Sequence, residues 1–166
     1  MRNIVLVGFM GAGKTTVGKI LASKISYKLY STDKLIAGKE NASIASIFEQ
    51  RGERYFRHIE HQVVKELASK NGGCIIDCGG GIVENKDNMR ILKEYGAIVW
   101  LKCSLQDINR RIDGEGRPLF QQGGNAVKEL YKRRTHLYQK WADYTVDAEE
   151  GPLEVAEQIL SQVNKG

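Results

Sequence analysis

Gly8-Phe9-Met10-Gly11-Ala12-Gly13-Lys14-Thr15 constrains the fold more than any other segment, because it satisfies the spacing G-x-x-x-x-G-K-[ST] in the one context where that spacing has meaning. Upstream runs Ile4-Val5-Leu6-Val7, a β-branched strand pattern. Downstream, residues 16–24 carry Val17, Ile20 and Leu21 on one helical stripe. A strand, a glycine loop and a helix in this order form a phosphate cradle. Glycine permits backbone angles closed to other residues, so successive N–H groups turn inward at the positive end of a helix. Gly11, Ala12, Gly13, Lys14, Thr15 and Thr16 are therefore candidate nucleotide ligands. Lys14 supplies a mobile cation for the outer phosphates, and the Thr15 hydroxyl is the expected ligand of a magnesium ion.

With 166 residues, 42% of them hydrophobic, the chain can bury one substantial core and is too short for two ordinary domains. One domain over residues 1–166 is expected. Two prolines and no polar or singly charged tract leave no candidate linker. The first strand begins almost at Met1 and no apolar run is long enough for a bilayer, so a soluble, cytoplasmic protein without membrane contacts is expected. Cys74, Cys78 and Cys103 lie in or beside apolar runs without C-x-x-C spacing and read as buried thiols. His58 and His61 stand three apart on a helical pattern; lacking a third ligand, they read as a hydrogen-bonded or solvated pair. The formal net charge of +5 raises the question of nucleic acid. Arg110, Arg111, Arg117, Arg133 and Arg134 gather without the interleaved aromatics of single-strand binders, so a small polyanion such as ATP is the expected partner and nucleic acid is not.

Short apolar runs at 4–8, 28–32, 74–78, 98–101 and 144–146 alternate with helical patterns at 13–23, 44–50, 53–70, 86–95, 105–111, 126–141 and 153–163. Ser43, Asn85 and Ser104 are placed as caps and Pro152 at a helix start. This alternation predicts an α/β fold: a three-layer α/β/α sandwich around a five-stranded parallel sheet, with ligands at the carboxyl ends of the strands. Two segments stand outside the scheme. The helical block at about 33–60 suggests a substrate platform, and the stretch at about 112–124, with Gly114, Gly116, Gly123 and Gly124, suggests a mobile lid.

Further motifs sharpen the reading. Ser31-Thr32-Asp33 ends the second strand. Ile47-Phe48-Glu49-Gln50-Arg51-Gly52-Glu53-Arg54-Tyr55-Phe56-Arg57-His58-Ile59-Glu60 follows, then Gly79-Gly80-Gly81, Arg117-Pro118-Leu119 and Arg133-Arg134-Thr135-His136-Leu137-Tyr138. In order and spacing, over nearly the whole length, the chain resembles the shikimate kinases, a family of small P-loop kinases. The resemblance implies transfer of the ATP γ-phosphate to the 3-hydroxyl of shikimate, with magnesium, on the route to aromatic amino acids.

The residues suit that chemistry. Asp33 follows the second strand at the sheet's carboxyl edge, where a carboxylate can accept a hydrogen bond from the attacking hydroxyl; as an Asp opening a helix it is equally a candidate N-cap. By resemblance, Arg57 and Arg134 bind the shikimate carboxylate, a task for guanidinium forks. Glu60 is spaced to pair with Arg57 on one helix. Gly79, Gly80 and Gly81 let backbone approach the acceptor closely. The resemblance places Arg117 at ATP and the transferring phosphate, and Arg110 or Arg111 at adenine, with Arg110 the expected contact. The family usually carries Asp-x-Asp after the second strand, with the first carboxylate near magnesium, where this chain has Ser31. Asp77 replaces a small hydroxyl residue on the neighbouring strand, so Asp77 with Thr15 is the expected magnesium pair. Cys78 for Thr and Ala37 for Glu are milder departures. A kinase of another hydroxy acid such as gluconate, or a nucleotide switch, is the alternative; Asn85-Lys86-Asp87-Asn88 only approaches the guanine motif. A monomer is expected, with a dimer as the other possibility.

Overall fold

The computed structural model describes residues 2–70, 73–113 and 124–164. The five apolar runs form strands β1 (Asn3–Val7), β2 (Lys28–Ser31), β3 (Cys74–Asp77), β4 (Gly96–Lys102) and β5 (Tyr144–Asp147). They pair in parallel in the order β2-β3-β1-β4-β5. β1 is buried along its whole length, as a central strand covered on both faces must be, which is why it reads as continuous Ile-Val-Leu-Val and not as an alternation.

The helices are α1 (Lys14–Ile25), α2 (Thr32–Glu40), α3 (Ile44–Ala68), α4 (Lys86–Tyr95), α5 (Leu105–Asp113), α6 (Gly124–Trp141) and α7 (Pro152–Val163). α1 packs against α7 and over β1, β2 and β3; α3 packs on both α2 and α4, and α4 and α6 reach β4. Three of the helices lay apolar stripes on the core: Val17 and Leu21 from α1, Phe56, Ile59, Val63, Val64 and Leu67 from α3, and Val155, Ala156 and Ile159 from α7. Full burial of one such side chain is worth roughly 1.5–3 kcal/mol, so the stripes outweigh the modest helix propensities.

The caps lie where the residue types place them. The side chains of Ser43, Asn85 and Ser104 accept from the N–H groups of Ser46 (3.1 Å), Asp87 (3.0 Å) and Asp107 (3.2 Å). The break expected between 50 and 53 is a kink inside α3 at Gly52, whose φ of 80° is open to glycine and strained for other residues. Periodicity misses α2, which buries only Thr32 and Ile36. Its start is set by Ser31, whose Oγ accepts from Lys34 N at 3.4 Å, so the N-cap is Ser31 and not Asp33. The three cysteines are buried and free. His61 Nδ1 lies 2.6 Å from Asn88 Oδ1 and His58 Nε2 lies 3.0 Å from Gln62 Nε2. Among the described residues no group of three His, Cys, Asp or Glu could hold a metal, and no helix is long and apolar enough to cross a membrane. Of the expected lid at 112–124, residues 114–123 lie outside the described residues.

Candidate active site

Parallel pairing brings the carboxyl ends of β1, β2 and β3 side by side, with Asp77 in register with both Leu6 and Ser31. The phosphate loop, Thr32-Asp33 and Gly79-Gly80-Gly81 therefore leave the sheet along one edge, though 16 residues lie between the first two pieces and 45 between the last two. The loop closes through Gly13, left-handed at φ 92°, which caps α1. A cleft of about 490 Å³ opens over it, lined by residues 11–17 with Arg111, Ala148, Glu150, Pro152 and Val155.

Lys14 is buried under this loop, its Nζ donating to the carbonyls of Gly8 (2.8 Å) and Phe9 (3.0 Å). Burial lowers its pKa, and the carboxylates of Asp77 and Asp33 work against that fall. Thr15 Oγ1 donates to Asp77 Oδ2 at 2.6 Å, so two hard oxygen donors from α1 and β3 stand together, Thr15 lining the cleft and Asp77 buried behind it. Arg110 is exposed on α5. Arg111 is the neighbour that lines the cleft: it donates to Ala12 O at 3.3 Å and to Ala148 O, and pairs with Asp107 at 2.7 Å. One residue of helical rotation separates the two, which spacing alone does not resolve. Arg117 lies outside the described residues.

A cluster of charged side chains adjoins the loop and is gathered around the three glycines. A Cβ on Gly79 would stand 2.6 Å from Asp33 Oδ1; one on Gly80 would stand 3.5 Å from Arg134 Nη1 and 3.6 Å from Gly8 O. On Gly81 it would overlap Arg57 Nη2 and lie 3.0 Å from Arg134 Nη2. A side chain at Gly79 or Gly81 would displace a charged group, whereas a Cβ at Gly80 would sit in ordinary contact. Asp33, Arg57 and Arg134, drawn from α2, α3 and α6, thus meet over one stretch of bare backbone that also touches the phosphate loop. Thr32 Oγ1 accepts from Gly79 N at 2.9 Å, and Tyr138 Oη donates to Gly80 O at 2.5 Å, holding the turn from both sides. The Arg134 guanidinium sits 6.0 Å over the Phe9 ring of the loop.

Electrostatics suit a site that is charged yet partly dry. Burial raises the Asp33 carboxyl above its usual value, Lys14 and Arg57 oppose the rise, and Asp77 adds to it. Glu60 is fully buried and is pushed up by burial despite its Arg57 partner at 2.9 Å. For Arg57, burial works against the charge, but Glu60 with Glu53 and Glu84 outweighs it and the pKa rises.

Thr32, Tyr138 and Glu84 carry contacts at the site that the motifs alone do not assign. Thr32 and Tyr138 fall inside the quoted motifs, where their hydroxyls had no visible partner; Glu84 lies outside them, and its partners come from helices distant in sequence.

The family model for shikimate kinase matches residues 10–164 of this sequence. The chain belongs to the shikimate kinase family. A shikimate kinase from Sulfurihydrogenibium sp. is 40% identical, with 99% of each chain covered. Among solved structures, shikimate kinase from Acinetobacter baumannii, determined in complex with shikimate, superposes with a TM-score of 0.91 at 35% identity, covering 99% of this chain and 94% of the other. Shikimate kinase from Aquifex aeolicus gives 0.84 at 34% identity, covering 98% and 96%. The five-stranded parallel sheet with its flanking helices is thus the architecture of this kinase family.

Proposed function

We propose that this family member transfers the γ-phosphoryl group of ATP to the 3-hydroxyl of shikimate, giving shikimate 3-phosphate and ADP. The observation that carries the reading is the meeting of one carboxylate and two guanidinium groups on the Gly79–Gly81 turn, beside Gly8 of the phosphate loop.

Phosphoryl transfer needs positioning and charge stabilisation more than covalent chemistry. The N–H groups of residues 11–15 and the dipole of α1 receive the phosphates. Phosphate oxygens entering the cleft compete with the Gly8 and Phe9 carbonyls for Lys14 Nζ, and the cation moves outward onto them. Arg57 and Arg134 take the acceptor carboxylate. Asp33 then accepts the hydrogen bond of the attacking hydroxyl and receives its proton as the bond to phosphorus forms; a carboxyl raised by burial is a better base than a solvated one.

Thr15 and Asp77 would hold magnesium, and their oxygen donors fit a hard divalent cation. When bound, the ion neutralises charge on the β- and γ-phosphate oxygens. Ser31 pairs with Asp77 across β2 and β3, and its hydroxyl is spent on capping α2, so the negative charge comes from β3. Arg111 is placed to meet the nucleotide along the cleft wall, and Arg117 is assigned to the transferring phosphate by family resemblance.

The test is ADP release by the purified chain with ATP and magnesium, comparing shikimate, gluconate and no acceptor. Release confined to shikimate supports the reading. Equal or faster release with gluconate moves the assignment to another hydroxy acid, and release independent of any acceptor rejects a small-molecule kinase.

A further inference from the structure

The turn of 3-10 helix after the triple glycine, Ile82–Glu84, ends in a carboxylate to which the chemistry above gives no task. Glu84 Oε1 accepts from Arg134 Nε at 3.2 Å and from Arg133 Nη2 at 2.7 Å, while Oε2 stands 3.9 Å from Arg57 Nη2. Burial raises the carboxyl, but the hydrogen bonds from Arg133 and the charge of Arg134 outweigh this and hold it below the ordinary Glu value. One anion therefore touches both acceptor-side guanidinium groups.

A guanidinium offers a carboxylate two edges with paired donors, Nε with one Nη, or the two Nη atoms together. On Arg134 the first edge is taken by Glu84. Among the described residues the Nη atoms donate to no protein acceptor; they lie over Gly80 and Gly81, beside Arg57 Nη2. On Arg57 the arrangement differs: Glu60 receives Nη1 on both carboxylate oxygens at 2.9 and 3.1 Å, and Nη2 donates to Glu53 at 3.4 Å.

We propose that Glu84 is a positioning residue for acceptor recognition: by gripping Nε of Arg134 it leaves the Nη edge as the fork that receives the carboxylate of the hydroxy acid. The inference rests on the proposed function and deepens it, because it says which edge of Arg134 reads the substrate and what holds that edge in place. A purely structural role would run through Arg133, which ties α6 to the turn through the same oxygen and is 62% exposed.

The experiment measures steady-state kinetics of the full chain on shikimate and on its methyl ester, which has the same ring hydroxyls without the charge. Wild type, Glu84→Ala, Glu84→Gln and Arg133→Gln are compared, with melting temperatures for all. A charge-assisted hydrogen bond that fixes a substrate-binding group is worth about a factor of ten. Glu84→Ala is expected to raise the KM for shikimate by about that factor with little change in kcat, and Glu84→Gln, which keeps an acceptor oxygen, by about threefold. Arg133→Gln should leave KM unchanged, and kcat/KM for the ester should be the same in all four proteins. An unchanged shikimate KM in Glu84→Ala overturns the proposal. So does a loss on the ester as large as on shikimate, or a KM rise in Arg133→Gln matching that of Glu84→Ala. Should Glu84→Ala fail to fold, Glu84→Gln decides alone, and a KM equal to wild type rejects the role. Failure of the broader reading is recognised separately, since wild type would then release no ADP with shikimate, and the proposal falls with it.

Discussion

Replacing Gly79 by alanine adds one methyl group directly against the Asp33 carboxylate. The new Cβ would stand 2.6 Å from Asp33 Oδ1, 3.3 Å from its carboxyl carbon and 3.4 Å from Oδ2, and ordinary contact begins at 3.4 Å. The carboxylate must withdraw by the difference, about 0.8 Å. The turn cannot retreat in its place, because Gly79 N is bonded to Thr32 Oγ1, Gly79 O accepts from Ile82 N at 3.1 Å, and Tyr138 grips the next carbonyl. Misplacing a catalytic group by about 1 Å costs on the order of a hundredfold in rate, so kcat should fall roughly 30- to 100-fold, or about 2–2.7 kcal/mol in barrier. The assay is ADP release at saturating ATP and acceptor, accompanied by nucleotide affinity and melting temperature, both of which should hold near wild type. Gly38→Ala, on α2 with nothing within 4 Å of its Cβ, is the control and should leave turnover unchanged. A folded Gly79→Ala protein with kcat within about threefold of wild type would refute the claim that Asp33 works from this position, since such a shift cannot be harmless to a general base.

Two further outcomes follow from the same geometry. Asp33→Asn should abolish turnover while raising the melting temperature at neutral pH: burial lifts the folded-state pKa above the unfolded one, so the ionised carboxylate costs stability at high pH. That cost is relieved as pH falls through the folded pKa toward about 4, and the advantage of the Asn variant should shrink there; a difference that grows on acidification would contradict the assignment. Asp77→Ser should leave the fold intact yet raise the magnesium concentration needed both for half-maximal turnover and for nucleotide binding followed by fluorescence, whereas an unaltered magnesium dependence would remove Asp77 from the metal.

Much of the architecture was legible because it rests on local rules. The β1 run, the glycine loop, the caps at Ser43, Asn85 and Ser104 and the break at Gly52 each follow from the conformational preferences of a few adjacent residues. The bounds of α2 escaped periodicity because a helix that buries two side chains has no stripe to read, although Asp33 marked a helix start within the helical block expected at about 33–60. Ser31, read from the sequence as standing where the family has a carboxylate, caps that helix; the choice between Ser31 and Asp33 as cap is made by which side chain meets the Lys34 N–H.

The amino-acid order by itself determined the phosphate loop, the alternation that yields a parallel sheet, and the membership of Asp33, Arg57 and Arg134 in motifs of defined spacing. Only the tertiary structure decided that Arg111 and not Arg110 lines the cleft over the phosphate loop, that Asp77 accepts from Thr15, and that Glu84 bridges two helices through their arginines. Local conformation is a matter of a few neighbouring dihedral angles and is written in adjacent residues. Which edge of a guanidinium stays free depends on groups scores of positions away that sheet pairing brings together, and no spacing along the chain records that meeting.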